Sequence, residues 1–573
     1  MRSLPYFLAT FTALVTTASA VHAGEPIGLD IILTPQVSGG AVTGLKVSEH
    51  FGGTDGATLT VSIPHKIATL LRISDRITRV EGRDANGPIV LKATEGEGQL
   101  GTSTLYTTDR PISGDLTVVY DVAVSDEKAS GPNWELRAEG QSVSGNGATF
   151  LLLPDTEKPY VVHLLWDLSQ MAPGARAIDS YDRDPSKQTA PLFRLRQTYF
   201  MAGSLVTVPA DLSTAGAFRS ASLAINNIPQ KPLLEWSEKA YGRMAAFFGF
   251  PSEPPFTLLL RSNNYHNMSG TAGPEGLIAT MSPDTPMWEV DSLIAHESVH
   301  VYLNGLMNAD DGLKSDDTAW FSEGIAVYYQ RQAPFDTGLF TPEEFILDLN
   351  DTTRRYYSNL SSTVPMKTAI ADFWTDARGR VQPYDRGALY FAVLNGEIRA
   401  KSGGKRSLDD LVKAFLKRKL DGQSVELKDW LDLITNELGP EALTEYQAML
   451  DGAWQLPASD AFGPCFERYE EQMPVFELGF AQKSLTQSPR VITDLNPQSP
   501  AAKAGVREGD KVIAPVILDP AQSHPEQPIN LHIDRGGQIL DIHFKPEGPL
   551  TKGYLWRLAP ANADCQAILA MRP

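Results

Sequence analysis

The chain has 573 residues, of which 42% are hydrophobic and 21% charged, and its formal net charge is -19. That length is too great for one ordinary domain and predicts three or four folding units, each large enough to bury a core. The acidic balance excludes nucleic acid and anionic membrane surfaces as favoured partners, because both repel it.

In chain order, residues 1–23 read as a signal peptide. Arg2 supplies a short positive region, and "YFLATFTALVTTASA" an apolar run. That run is shorter than the roughly 20 residues a membrane span needs. Ala18–Ala20 and the "VHA" ending at Ala23 fit small-residue cleavage sites. The expectation is a periplasmic or secreted protein that starts near Val21 or Gly24. From 24 to 210, short runs such as "GLDIILTPQ", "ATLTVSIP" and "DLTVVYDVAVS" alternate with Gly, Pro, Asp and Asn. They predict an antiparallel, β-sandwich-like domain. His50, His65 and His163 are isolated within it and read as structural.

Helical spacing begins near Pro229 with "KPLLEWSEKAYGRMAAFFGF", which ends at a glycine stop. "FTLLLRSN" reads as a strand, and after Gly276 the chain turns mostly helical. Thr341-Pro342-Glu343-Glu344 and Ser407-Leu408-Asp409-Asp410 place acids in first turns, where the helix dipole favours them. Residues 211–460 form this mainly helical domain. Strand patterns return over 470–550, and 551–573 reads as a tail. Cys465 and Cys565 are the only cysteines. In an exported chain they can form one disulfide or remain two buried thiols; neither stands in a zinc or redox spacing.

The chemistry concentrates in "LIAHESVHVYLNG", Leu293 to Gly305. His296 and His300, four apart, share one helix face and can hold one metal ion. Zinc favours imidazole and keeps an open position for catalysis when it has three protein ligands. Glu297 beside the first histidine can act as general base on a metal-activated water. A helix with two polar-face histidines is the competing reading of this motif alone. Two further stretches bear on it. In "WFSEGIAVYY", Glu323 has apolar neighbours Trp320, Phe321, Ile325 and Ala326, and a buried lone carboxylate is costly unless paired or metal-bound. In "QPYDRGALYFAVL", Tyr384 stands just before a helix and can aim its hydroxyl at a developing oxyanion.

H-E-x-x-H, then W-x-x-E-G, then P-Y-x-x-G before a long helix resembles the gluzincin zinc metallopeptidases. The chain is most similar to the glycyl aminopeptidase family, with aminopeptidase N as a more distant relative. "GALYFAVLNGEIRAKSGGKRSLDDLVKAF" adds a G-x-x-S-L-D-D run found in that family. The resemblance is strongest between about residues 290 and 415. It implies a multidomain α+β chain with an N-terminal β-sandwich-like domain, a thermolysin-like helical catalytic domain and a C-terminal PDZ-like domain. It implies one Zn2+ per chain on His296, His300 and Glu323, with Glu297 as base and Tyr384 as oxyanion stabiliser. It departs from the family at the amine-anchoring loop: relatives carry a G-G-L-E-H-like segment, whereas this chain has "GTAGPEGLIATMSPD", with Ile278 and Ala279 after Gly276-Leu277 and Glu275 out of register. Aminopeptidase and endopeptidase action both stay open.

"FELGF" (Phe476–Phe480) and "SPAAKAGVREGD" (Ser499–Asp510) carry the PDZ resemblance, the first as a carboxylate-binding loop for a C-terminal peptide ligand. "LDPAQSHPEQP" is too rich in proline for a full groove helix. His524, His532 and His543 read as surface or structural. The leading expectation is a zinc peptidase acting on peptides or proteins. The alternatives are a catalytically silent exported scaffold binding through its PDZ and β domains, and a zinc hydrolase of non-peptide substrates.

Overall fold

The computed structural model describes residues 27–571 except 69, 126–132, 182–188, 263–267, 274–275, 304–305, 309–317, 372, 374, 488, 517 and 560–562. The expected signal peptide and Glu275 lie outside the described residues.

Period-two alternation builds the N-terminal unit. Strand β1 (Ile27–Ser38) turns Leu29, Ile31 and Leu33 inward, each 0% exposed, and Asp30 outward. It pairs antiparallel with β2 (Ala41–Phe51), which pairs antiparallel with β3 (Leu116–Ala123). Among the described residues the unit contains a seven-stranded, a four-stranded and a three-stranded sheet, and one apolar core lies between them. The sequence predicted antiparallel sheets, and the structure corrects this: Ile27–Leu33 run parallel to Tyr160–Trp166. A parallel neighbour needs a long crossover rather than a hairpin, and no local pattern announces one.

This core holds a carboxyl group. Glu49 on β2 is fully buried and accepts hydrogen bonds through Oε1 from Tyr120 Oη at 2.7 Å and Leu152 N at 3.2 Å. Burial pushes it up from 4.5 to about 8, only partly opposed by those two bonds and by Arg196. The folded state therefore keeps a proton that the unfolded chain releases, and stability falls as pH rises from about 4.5 through about 8. Glu49→Gln keeps the accepting oxygen and removes the titration. The stabilities of the two proteins, followed by thermal melting, are expected to coincide near pH 4.5 and to diverge in favour of the variant by pH 9, by on the order of 5 kcal/mol.

The second unit opens on a five-stranded sheet, made of β4 (Val206–Val208), β5 (Phe218–Ser222), β6 (Phe256–Ser262), β7 (Ser269–Gly273) and β8 (Gly276–Met281). The order is β4-β5-β6-β8-β7; β5, β6 and β8 run parallel and the two edges antiparallel. Only β6 was expected as a strand. Leu277, Ile278, Ala279 and Met281 of β8 are 0% exposed, and a short apolar run buried on both faces shows no alternation to read. Helices follow: α1 (Gln230–Phe248, between β5 and β6), α2 (Met287–Leu303), α3 (Ala319–Asp336), α4 (Pro342–Tyr357), α5 (Gln382–Ser402), α6 (Leu408–Leu420), α7 (Leu427–Leu438) and α8 (Glu441–Leu450). The caps read in the sequence form. Gly249 ends α1 in the left-handed region at φ 82. Thr341 with Glu344, and Ser407 with Asp410, close capping boxes on α4 and α6. Trp320 and Phe321 of α3, Phe391 of α5 and Trp430 of α7 stack into the same core at centroid distances of 5.1 to 6.0 Å.

The C-terminal unit is tied to α4. Strand β9 (Phe466–Phe476) pairs antiparallel with β10 (Glu547–Leu558), which extends into the stretch expected as a tail. Asn350 of α4 exchanges two 2.8 Å hydrogen bonds with the backbone of Trp556 on β10. Cys465 and Cys565 are bridged, with Cα atoms 4.7 Å apart. A separate three-stranded sheet pairs Lys511–Val512, Ile529–Arg535 and Gln538–Phe544. The proline-rich stretch forms one turn of helix, α9 (Asp519–Ser523). Its Gln522, 0% exposed, bonds to Asn359 and Ala377, and Asp519 pairs with Arg380. Among the described residues no helix is long and apolar enough to cross a membrane.

Candidate metal centre

Val290, Ile294, Ala295 and Val299 bury one flank of α2, and His296 and His300, both partly exposed, stand one turn apart on another face. Glu323 comes from the second turn of α3, where buried Trp320, Phe321, Ile325 and Ala326 fix the helix. The three side chains converge. His296 Nε2 lies 3.2 Å from His300 Nε2, and Glu323 Oε2 lies 3.5 Å and 3.3 Å from those two nitrogens. For a tetrahedral zinc with bonds near 2.05 Å, neighbouring ligand atoms stand about 3.3 Å apart. The donor set and its spacing fit zinc. Among the described residues this is the one cluster of His, Cys, Asp or Glu arranged to hold a metal ion.

The charges are shared unequally. Burial would raise the Glu323 carboxyl, but His300 and His296 outweigh it and pull the group down to about 2. Burial likewise depresses the His300 imidazolium, yet Glu323 and then Glu297 carry it up to about 9. Without a metal the cluster therefore holds a proton between histidine and carboxylate, in the space a cation would take. Metal binding must displace that proton.

Glu297, 8% exposed, stands between this cluster, whose His296, His300 and Glu323 act on its charge, and the edge strand β7. A Cβ on Gly270 of that strand would stand 3.0 Å from Glu297 Oε1, so the glycine leaves the carboxyl its room. Burial raises the Glu297 carboxyl above the usual range, against the pull of His296 and His300.

Tyr384 is the third residue of α5, inside the first turn rather than before the helix as expected. Proline is tolerated at that point because the first amides of a helix have no intrahelical partner. Its neighbours anchor it: Asp385 takes two bonds from Arg355, at 2.6 and 2.8 Å, and Arg386 donates to the carbonyls of Ser361, Ser362 and Val364. The Tyr384 ring lies 6.2 Å from that of His296, nearly parallel to it. Burial, then Glu323 and Glu297, raise its hydroxyl well above the ordinary value, so it stays protonated and keeps a hydrogen to donate.

The five residues singled out in the sequence are thus brought together. Gln330 and Asp348, behind His296, were missed. Gln330 stands seven residues after Glu323, two helical turns on the same face, and that spacing could have found it; nothing marks Asp348. Missed too was the meaning of the glycines in the two motifs: Gly324 and Gly387 are where α3 and α5 touch.

No protein-family profile and no curated protein matches the chain. Solved structures do. An aminopeptidase N family protein from Idiomarina loihiensis superposes with a TM-score of 0.64 at 16% identity, over 93% of this chain and 98% of that one. An M1 zinc metallopeptidase from Deinococcus radiodurans follows at TM-score 0.43 and 16% identity, over 76% and 97% of the two chains. Yeast LTA4 hydrolase follows at 0.38 and 13%, over 74% and 66%. The likeness in fold is to the Idiomarina loihiensis protein. Over nearly its whole length the chain has the fold of an aminopeptidase N family protein.

Proposed function

We propose that the protein is a zinc-dependent peptidase, with His296, His300 and Glu323 as the residues that hold one zinc ion. The observation that carries this reading is the convergence of their three donor atoms at 3.2 to 3.5 Å. Zinc in such a site supplies a Lewis acid that polarises a carbonyl and makes water acidic near neutral pH. Glu297 takes the proton of the attacking water and returns it to the leaving nitrogen; its burial gives it the basicity to hold that proton between the two events. Tyr384 donates its hydroxyl hydrogen to the oxygen on which negative charge develops. The convergence of His296, His300 and Glu323 supports this reading over the silent-scaffold alternative.

A member of the glycyl aminopeptidase group, exported and carrying a PDZ-like unit at 470–550, is the finer reading. The Cys465–Cys565 bridge supports an oxidising compartment. Gly479 at φ 81, within the loop after β9, supports a backbone anion nest in "FELGF". Beside Glu297, β7 consists of Ser269, Gly270, Thr271, Ala272 and Gly273. In the neighbouring N-terminal segment, Glu135 is bonded to Arg261 at 2.9 Å. Among the described residues β7 itself carries no acidic side chain to meet a substrate ammonium, which supports cleavage of peptides without a free amine.

The test is direct. Purified protein is expected to contain one zinc per chain and to hydrolyse peptides with free and with acetylated N-termini. Absence of both zinc and cleavage in folded protein sinks the reading, and cleavage of free peptides alone sinks the amine-independent part. Tyr384→Phe is expected to lower kcat by roughly 100-fold with KM little changed, measured on the same peptides.

A further inference from the structure

His296 is held from behind by a chain of hydrogen bonds whose direction is chemically fixed. Its Nδ1 lies 3.0 Å from Gln330 Oε1, and Gln330 Nε2 donates to Asp348 Oδ2 at 2.7 Å. Asp348, 3% exposed, is in turn bonded by the guanidinium of Arg331, 1% exposed. Arg331 also donates to Thr352 Oγ1 at 2.6 Å. A carboxylate paired with a guanidinium accepts and does not donate. The Gln330 amide must therefore turn its NH2 toward Asp348, which leaves its oxygen toward His296. An oxygen there requires the proton on Nδ1. Nε2, the nitrogen facing His300 and Glu323, is then left with a lone pair. Were the amide reversed, its N–H would face Nδ1, the proton would sit on Nε2, and that nitrogen could not ligate.

We infer that Asp348, acting through Gln330, sets the tautomer of His296 and thereby its readiness to bind zinc. Both are positioning residues, neither touching the metal nor the substrate. The inference rests on the zinc reading given above. A neutral amide stands between the carboxylate and the histidine, so the charge of Asp348 is spent on orienting Gln330 and on Arg331 and does not bear directly on the imidazole.

Four variants test it by zinc affinity, in competition with a chromophoric chelator, and by the visible spectrum of the cobalt(II)-substituted protein. Asp348→Asn gives Gln330 a neighbour that can donate to it, so the amide can reverse; zinc affinity is expected to fall by about 10- to 100-fold. Gln330→Glu combined with Asp348→Asn restores the order of donors. The carboxylate introduced on α3 then accepts from His296 and from the amide introduced on α4, and the oxygen of that amide accepts from Arg331. Affinity and cobalt spectrum are expected to return to within about threefold of the parent. Thr352→Val removes a bond to Arg331 without touching the relay's direction, so it lowers the melting temperature and leaves zinc affinity unmoved. If Asp348→Asn does not fold, Gln330→Met carries the test, because it keeps the Asp348–Arg331 pair and loses only the acceptor; it too must lose about tenfold or more.

Unchanged zinc affinity and cobalt spectrum in folded Asp348→Asn or Gln330→Met overturn the inference, as does a folded double variant that does not recover. A parent protein that binds zinc but cleaves no peptide overturns the peptidase reading alone and leaves the relay standing. A parent that takes no zinc overturns both.

Discussion

Replacing Glu297 by glutamine is expected to leave zinc bound at one per chain and to lower kcat/KM by about 1,000- to 10,000-fold. The residue adjoins a ligand in sequence but is not part of the converging set. Its side chain leaves α2 toward β7, where Gly270 makes room for it. Glutamine has the same shape and hydrogen-bonding reach on its oxygen side, so the helix, the ligands and the cleft keep their geometry. What it lacks is the ability to accept a proton and release it again. Metal analysis and peptide hydrolysis on the same preparation separate the two roles. Zinc lost together with activity would make Glu297 a structural support of the site. Activity above a tenth of the parent would end its assignment as base.

How much of this could be read in the sequence depends on how local each cause is. The pairing of His296 with His300 follows from helix geometry alone, and the burial of Glu323 from its apolar neighbours. The capping boxes at Thr341 and Ser407 are four-residue patterns and formed as written. Inward alternation at Leu29, Ile31 and Leu33 is a period-two signal within one strand. What escaped is non-local. β7, made of Ser, Gly, Thr, Ala and Gly, has almost no strand propensity and is held by its pairing with β8. β4, at Val206–Val208, lies before the expected domain boundary at 210 yet joins the sheet of the second unit. The disulfide was one of two open readings, since it needs two cysteines 100 residues apart to meet. The relay to His296 joins α2, α3 and α4, and no window of sequence contains it.

The glycines of W-x-x-E-G and P-Y-x-x-G belong to the same class, and changing one is expected to have the second large effect. A Cβ on Gly387 would lie 2.3 Å from the carbonyl oxygen of Trp320, and one on Gly324 2.6 Å from the backbone of Gly387. These contacts are with backbone atoms, which cannot rotate aside as a side chain can. In an ordinary helix position glycine to alanine is stabilising by about 0.5–1 kcal/mol. At Gly387 that gain is expected to be reversed by overpacking of about 1–3 kcal/mol as α3 and α5 are pushed apart. The two helices carry Glu323, the residue before Gly324, and Tyr384, one turn before Gly387. Displacing one against the other misplaces a zinc ligand relative to the oxyanion donor, and a shift of about 1 Å can cost 100-fold in rate. Gly387→Ala is therefore expected to lower the melting temperature, weaken zinc binding and reduce kcat/KM by roughly 100-fold. Gly396→Ala, on the same helix, is the internal control. Its Cβ would meet only the Cβ of Ala458 at 3.5 Å and atoms of Ala461 beyond that, so it is expected to be neutral or stabilising with full activity. If the two variants melt and cleave alike, close backbone contact is not what sets the distance between Glu323 and Tyr384, and the paired glycines have some other cause.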